Sequence, residues 1–327
     1  MITFARAIAV GVAALVAAPA AARGTGLIKV DHHVHVHSPA ILAFLPAYCS
    51  SPARASKCDP DFARPLSADD LLKAMDEAGI ARARIMSTGY LAESPIIGTL
   101  VPNHAAILRS ANSFTVKLAQ LHPTRFQAYV AVNPVSPTAL EELRHWRGNQ
   151  FVTGLKLHLA NARFDYADAR QVKMLADVFR TVAGQHLRIM IHMRNAATGY
   201  GAEDVRIFLR DVLPAARGQP VQIAHVAGWG GIDTATLSAL GAFADACEAD
   251  RTICRRLTFD LAALRVETIS AADRTLLVTL MRRIGISHFV PASDWPFALD
   301  LRAYYAAFAA LPLEPKEWRR ISRNVGP

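Results

Sequence analysis

Several signatures of familiar protein classes are missing from this 327-residue sequence. It has only four cysteines, and neither of their local spacings forms the Cys-x-x-Cys knuckle of a structural zinc site. The net charge is +9, but the excess arginines are scattered, and no basic run has interleaved aromatic residues. We therefore expect a mildly basic surface and no nucleic-acid partner. No glycine-rich fingerprint follows the first predicted strand, which argues against a dinucleotide-binding fold.

A long apolar run occurs only at the start of the chain. Arg6 precedes the apolar residues 7–18, and Pro19 separates these from three alanines at 20–22. This pattern predicts a cleavable export signal over residues 1–22, with an uncleaved anchor as the alternative, because the apolar part is short for a membrane span. We expect a periplasmic or secreted protein whose remaining residues, 23–327, form one domain without stable membrane insertion.

The four cysteines form two local pairs, Cys49 with Cys58 and Cys247 with Cys254. Each pair brackets a short polar, loop-like segment. In an exported protein this arrangement predicts two short-loop disulfides, with four unpaired thiols as the alternative.

Apolar runs rich in β-formers alternate with amphipathic helical patterns, and the hydrophobic share of 52% permits a large core. Several of the runs are apolar throughout, as strands buried in a parallel sheet are. A (β/α)8 barrel of the TIM type is the economical closure of eight such units, and an open doubly wound sheet is the alternative. Residues 37–66 are expected to form a long loop that walls the pocket. The predicted strands are 27–34, 82–87, 127–132, 152–157, 187–192, 220–225, 257–260 and 287–292, and the predicted helices include 169–183, 202–213, 234–249, 270–284 and 299–310.

Polar side chains follow the apolar runs at the carboxyl ends of the predicted strands, where barrel active sites assemble. A lone histidine there is more often structural, but a lysine, an aspartate and four histidines are hard to explain in that way. Strict alternation along the first strand places Asp31, His33 and His35 on one face and His32 on the other. The strand-end residues are His33, His35, Lys156, His192, His225 and Asp294.

These residues carry a resemblance to the amidohydrolase superfamily, specifically to its amidohydrolase-2 branch of metal-dependent hydrolases and decarboxylases. The resemblance implies a TIM-like barrel that holds a divalent metal, usually zinc. The matching segments are Asp31-x-His33-x-His35, Gly154-Leu155-Lys156-Leu157-His158, Ile191-His192, Ala224-His225 and Ser293-Asp294-Trp295-Pro296.

The resemblance also implies roles. His33, His35 and His192 would bind the metal, and Asp294 would bind it and take a proton from the bound water, whose pKa zinc lowers toward about 7. His225 would polarise the substrate carbonyl or join a second metal. In binuclear relatives the strand-four lysine, which Lys156 matches, is carbamylated and bridges two metals. We favour one Zn²⁺, with Lys156 facing the substrate or packing, and two metals are the alternative.

Three further residues are candidates for binding the small-molecule substrate. His158 follows Lys156, with a loop-packing histidine as the alternative. Arg194 follows His192 and is suited to pair with a substrate carboxylate, with a surface ion pair as the alternative. Trp229 lies in a glycine-rich segment after His225 and is suited to wall the pocket.

The sequence thus favours an exported metal-dependent hydrolase that attacks a small lactone, ester or amide. A non-oxidative decarboxylase of the same branch is the alternative. A barrel that binds a small molecule without turnover is the second alternative, against which the retention of every expected residue type argues.

Overall fold

The computed structural model describes residues 28–54, 57–98 and 100–327. The predicted export signal, residues 1–22, lies outside the described residues. Eight parallel strands form one sheet in which neighbours in sequence are neighbours in space. Helices connect them, so the predicted (β/α)8 barrel is confirmed. The strands are β1 Val30–Val34, β2 Arg82–Met86, β3 Phe126–Ala131, β4 Val152–His158, β5 Arg188–His192, β6 Val221–Ile223, β7 Leu257–Asp260 and β8 Phe289–Val290.

The first and last strands close the barrel through backbone hydrogen bonds beyond the end of β8. The amide of Asp294 donates to the carbonyl of His33 at 2.8 Å, and the amide of His35 donates to the carbonyl of Trp295 at 2.7 Å. The seam of the barrel therefore runs through residues that the sequence assigns to the metal site.

The helices surround the sheet, and many of them begin with a side-chain cap. At the start of α2, Ser67 and Asp70 form a reciprocal capping box, and Gly79 ends the helix with a φ of 71°. The helices are α1 Pro39–Cys49, α2 Ala68–Ala78, α3 His104–Leu121, α4 Ala139–His145, α5 Ala169–Ala183, α6 Ala202–Ile207, α7 Thr234–Ala249, α8 Arg251–Cys254, α9 Ala271–Ile284, α10 Leu301–Ala307 and α11 Pro315–Ser322.

The expectation of an irregular loop over residues 37–66 is wrong for Pro39–Cys49, which form α1, but the segment does wall a cavity, which Tyr48 and Phe62 line. Ser38 caps this helix by accepting from the amide of Ile41, and Pro39 fits the first turn, where an amide hydrogen is not needed. Pro46 within the helix discouraged that prediction, since proline removes an internal hydrogen bond.

Strict alternation along β1 is also wrong. The pairing of β1 with β2 shifts register between Asp31 and Val34, which is a β-bulge. Asp31 consequently turns from the cluster and accepts from the amides of His33 and Ser293 at 3.2 and 3.1 Å. His32 lies by the C-terminal segment, where its Nε2 is 3.0 Å from the carbonyl of Asn324.

Both predicted disulfides are confirmed. Cys49 is bonded to Cys58 and Cys247 to Cys254, with Cα–Cα distances of 5.4 and 5.6 Å. The first bond ties the end of α1 to the segment that follows it, and the second joins α7 to α8. Among the described residues, no helix combines the length and the apolar character needed to cross a membrane.

Candidate metal centre

Three potential ligand atoms converge at the carboxyl ends of β1 and β8. Nε2 of His33 lies 3.2 Å from Nε2 of His35 and 3.2 Å from Oδ1 of Asp294. Nε2 of His35 lies 3.3 Å from the same carboxylate oxygen. The structure therefore brings three of the four predicted metal ligands together in a buried site.

The imidazoles of the site share one hydrogen-bond arrangement, in which Nδ1 faces an acceptor that has no hydrogen of its own. Each Nδ1 must therefore carry the proton and donate it, which leaves Nε2 with a lone pair. Metal-binding histidines show this arrangement. The acceptors are Asp260 Oδ2 for His33 at 3.2 Å, the Met86 carbonyl for His35 at 3.0 Å, the Arg194 carbonyl for His192 at 3.2 Å and the Ala262 carbonyl for His225 at 2.9 Å.

The convergent lone pairs and the carboxylate of Asp294 need a cation among them. A proton is disfavoured, because burial lowers the pKa of His33 well below its ordinary value, an effect that nearby Lys156 reinforces. Oδ1 of Asp294 is buried and has no hydrogen-bond partner among the described residues. Two neutral imidazoles and one carboxylate are ligands that zinc and related divalent metals accept, so the residues fit a divalent ion.

Asp260, at the end of β7, orients the cluster and was not singled out in the sequence. Its two oxygens accept four hydrogen bonds, which satisfies the carboxylate without a metal. The donors are the ring of His33, the side chain of Gln222 and the amides of His225 and Ala262. The detectable signal was its position, since it ends a predicted strand at the same edge as the other site residues.

Lys156 projects from β4 into the same buried cluster. Its Nζ lies 3.1 Å from Nε2 of His33 and 3.1 Å from Sδ of Met190. Burial lowers the pKa of Lys156 to about 8, against the opposing effect of Asp294 and Asp260. The structure thus places Lys156 beside the candidate metal position, where it can face a substrate or a second ion.

His192 and His225 lie on the other side of the cluster. His225 sits in a turn after β6 in which three consecutive residues have positive φ, beginning with 54° at His225 itself. Its ring centre lies 5.1 Å from that of His33 and 5.0 Å from that of His192. His192 is not part of the close group of His33, His35 and Asp294, whose ligand atoms lie within 4.8 Å of one another.

The three predicted substrate contacts have different surroundings. The ring of His158 stacks on that of His192 at 4.0 Å and lines the central cavity. Trp229 is 46% exposed and lines the same cavity. Arg194 does not line it, because its guanidinium pairs with both carboxylate oxygens of Asp233 at 3.0 and 2.8 Å. The ion-pair alternative therefore describes Arg194 better than the prediction of substrate contact does.

His37 lies outside the cluster despite its place in the histidine-rich strand end. Its Nδ1 is 2.9 Å from the hydroxyl of Thr88, and its Nε2 is 2.8 Å from the carbonyl of Phe62. Both ring nitrogens are thereby used, so His37 anchors the segment after α1 to the barrel.

The cluster forms the buried end of a cavity of about 380 Å³. This volume suits a small molecule. Aromatic side chains line much of the wall, and basic side chains lie toward solvent. The aromatic residues are Tyr48, Phe62, Tyr90, Trp229, Phe297 and Tyr304, and the basic residues other than Lys156 are Arg54, Lys57, Arg163 and Arg265.

Solved structures share this fold at low sequence identity. The 5-carboxyvanillate decarboxylase of Sphingomonas paucimobilis is 15% identical, with a TM-score of 0.62 over 90% of this chain and 96% of that one. The manganese-bound 5-carboxyvanillate decarboxylase of Novosphingobium aromaticivorans is 13% identical, with a TM-score of 0.61 over 91% and 94%. A zinc-bound amidohydrolase of Burkholderia multivorans is 14% identical, with a TM-score of 0.56 over 91% and 96%.

No protein-family model and no curated protein matches the sequence. The chain has the barrel fold of metal-dependent amidohydrolases and decarboxylases, as the resemblance predicted.

Proposed function

We propose that this protein is a metal-dependent enzyme of the amidohydrolase-2 branch that hydrolyses a small carbonyl substrate. One observation carries the proposal: the Nε2 lone pairs of His33 and His35 and the carboxylate of Asp294 converge in a buried site, where each imidazole already donates a hydrogen bond from Nδ1. Neutral imidazoles and an unpartnered carboxylate are the donor set for a divalent metal.

The residues of the site divide the work. His33, His35 and Asp294 would hold the metal, with His192 as the further predicted ligand. A bound divalent metal supplies Lewis acidity and lowers the pKa of water to about 7. Asp294 would accept a proton from the attacking water, and His225 would polarise the substrate carbonyl from the other side of the cluster. We favour one zinc ion, with a second ion at Lys156 and His225 as the alternative.

Decarboxylation of an organic acid is the second candidate. It is favoured by the fold, because two of the solved structures described above are decarboxylases. We propose a periplasmic or secreted location on the basis of the N-terminal pattern and the two disulfides. Export in turn favours hydrolysis over decarboxylation. A binding protein without turnover is the third candidate.

Metal content and turnover of the purified protein test the proposal together. We expect about one equivalent of divalent metal per chain, and chelator-sensitive hydrolysis within a panel of lactones, esters and amides. His35→Ala should lose metal and turnover, whereas His145→Ala, which changes an exposed histidine of α4, should keep both. Release of carbon dioxide from aromatic acids would favour the decarboxylase instead. A native protein that binds no divalent metal would refute the assignment.

A further inference from the structure

The outer end of the cavity carries a basic collar, which we define as Arg54, Lys57, Arg163 and Arg265. These residues come from loops after α1, β4 and β7, which are distant in sequence and meet at one opening. Lys57 and Arg163 are exposed, and the side chain of Arg265 is 60% exposed. The metal cluster at the inner end is buried. The cavity thus runs from a buried cluster to a cationic mouth.

Little negative charge offsets the collar. Among the described residues that line the cavity, the carboxylates are Asp294, in the metal cluster, and Asp59. Asp59 lies 3.3 Å from the guanidinium of Arg265 and neutralises that cation. Converging charges of one sign around a cleft raise the local concentration of the opposite charge.

One side of the collar is held in place by covalent and aromatic contacts. Arg54 and Lys57 lie between Cys49 and Cys58, whose disulfide closes this short segment into a loop. The guanidinium of Arg54 lies 4.5 Å above the ring of Tyr48, which itself packs in the cavity wall. Such anchoring lowers the conformational entropy that a ligand must overcome when it binds these cations.

We propose that the substrate carries a carboxylate at the end remote from the metal, and that the basic collar selects it. The reacting group would face the cluster, a flat apolar body would contact the aromatic wall, and the remote carboxylate would pair with the collar. Guanidinium groups suit a carboxylate because they offer two parallel donors. The collar itself requires no metal, and the inference rests on the proposed function only for which end of the substrate reacts.

Two ligands of the same shape test this selection. 3-Carbamoylbenzoate and isophthalamide share an aromatic amide, and their second group is a carboxylate in the first and an uncharged amide in the second. In calorimetric titrations of the full chain, we expect 3-carbamoylbenzoate to bind about fivefold more tightly, since each exposed ion pair is worth up to about fivefold. Raised salt should reduce the difference.

Charge-reversal variants locate the effect. Lys57→Glu and Arg163→Glu should each remove most of the preference and leave the affinity for uncharged isophthalamide within about twofold, because both side chains are exposed. Lys117→Glu makes the same charge change on exposed α3, outside the cavity lining, and should retain the preference. Native protein that binds 3-carbamoylbenzoate no better than isophthalamide, or not at all, overturns the proposal, as does a preference that both collar variants keep.

Repeating the titrations on metal-free protein separates this inference from the proposed function. A preference for 3-carbamoylbenzoate in a protein that takes up no divalent metal would support the collar and refute the metal site. A protein that binds metal but shows no preference would refute the collar alone.

Discussion

Nε2 of His33 and Nε2 of His35 lie 3.2 Å apart, and a neutral ring can place a proton between them only by giving up its hydrogen bond through Nδ1. Nδ1 of His33 donates to the carboxylate of Asp260, and Nδ1 of His35 donates to the carbonyl of Met86. The two lone pairs therefore oppose each other unless a cation joins them. The hydrogen bonds that the barrel makes to the two Nδ1 atoms thus determine that both Nε2 atoms are available to bind a cation.

Removal of the metal should lower the stability of the protein. A ligand at about 1,000 times its dissociation constant stabilises the folded state by about 4 kcal/mol, and here it would also relieve the repulsion between His33, His35 and Asp294. We expect a chelator to lower the thermal midpoint of the native protein. His35→Ala should show no such shift, whereas His145→Ala should show all of it. Equal midpoints of the native protein with and without chelator would contradict the prediction.

Asp260→Asn should weaken metal binding without removing a ligand. The amide nitrogen that replaces one oxygen is a donor, and it would face either the ring N–H of His33 or the backbone amides from which the carboxylate now accepts hydrogen bonds. Loss of such an orienting group lowers metal affinity by about 10- to 100-fold. Metal titration against a competing chelator measures the change. Asp245→Asn, on the exposed side of α7, is the control and should keep the native metal affinity. Unchanged metal affinity in Asp260→Asn would show that Asp260 does not orient the cluster.

His37→Ala should destabilise the protein and spare the metal. The substitution leaves the buried carbonyl of Phe62 and the hydroxyl of Thr88 without their partner, which costs about 1–3 kcal/mol. Denaturant unfolding measures the loss, and metal content measures what is spared. A variant that loses its metal while keeping its stability would place His37 in the metal site instead.

The contribution of His37 to the free energy of unfolding should also depend on pH. Burial, reinforced by His35, lowers the pKa of His37 from 6.5 to about 3 in the folded protein. Because the folded pKa is the lower one, the stabilisation is fully present above pH 6.5 and declines as the pH falls toward about 3. The difference in unfolding free energy between the native protein and His37→Ala should shrink over that window. A difference that stays constant with pH would contradict the assignment.

The two disulfides should contribute similar stability but differ in their effect on ligands. Their cysteines are separated by 9 and 7 residues, and loops of this size imply about 2.5 kcal/mol for each bond. Replacing either pair by alanines should lower the unfolding free energy by about that amount. Only the loss of Cys49–Cys58 should weaken the preference for 3-carbamoylbenzoate over isophthalamide, because that bond encloses Arg54 and Lys57. Equal effects of both pairs on the preference would argue against a positioned collar.

Much of the barrel could be predicted from the sequence. The predicted helices 169–183 and 234–249 have the same bounds as α5 and α7, because a capping aspartate precedes each of them and α5 is also amphipathic. Helix α3 was not predicted, and its start at His104 lacks a side-chain cap. Proline obscured α1. Local sequence signals were thus sufficient to predict a helix where capping residues mark its start.

The sequence was sufficient to predict which residues form the site, but not how their side chains are arranged. Parallel strands bring their carboxyl ends to one edge, so strand-end residues such as His33, His225 and Asp294 had to meet. The bulge in β1 depends on pairing with β2, and the hydrogen bond from His33 to Asp260 joins residues 227 positions apart. The pairing of Arg194 with Asp233 likewise depends on how α7 is placed. Contacts of this kind arise only in the folded chain.

The seam between β1 and the segment after β8 has a consequence for how the protein folds. It joins residues as far apart as Asp31 and Ser293, 262 positions away, so it depends on the longest loop closure in the barrel. His33, His35 and Asp294 sit on both sides of that seam. Completion of the barrel and assembly of the ligand set are therefore one event. A metal ion there would bind only the fully closed barrel and would stabilise the closure.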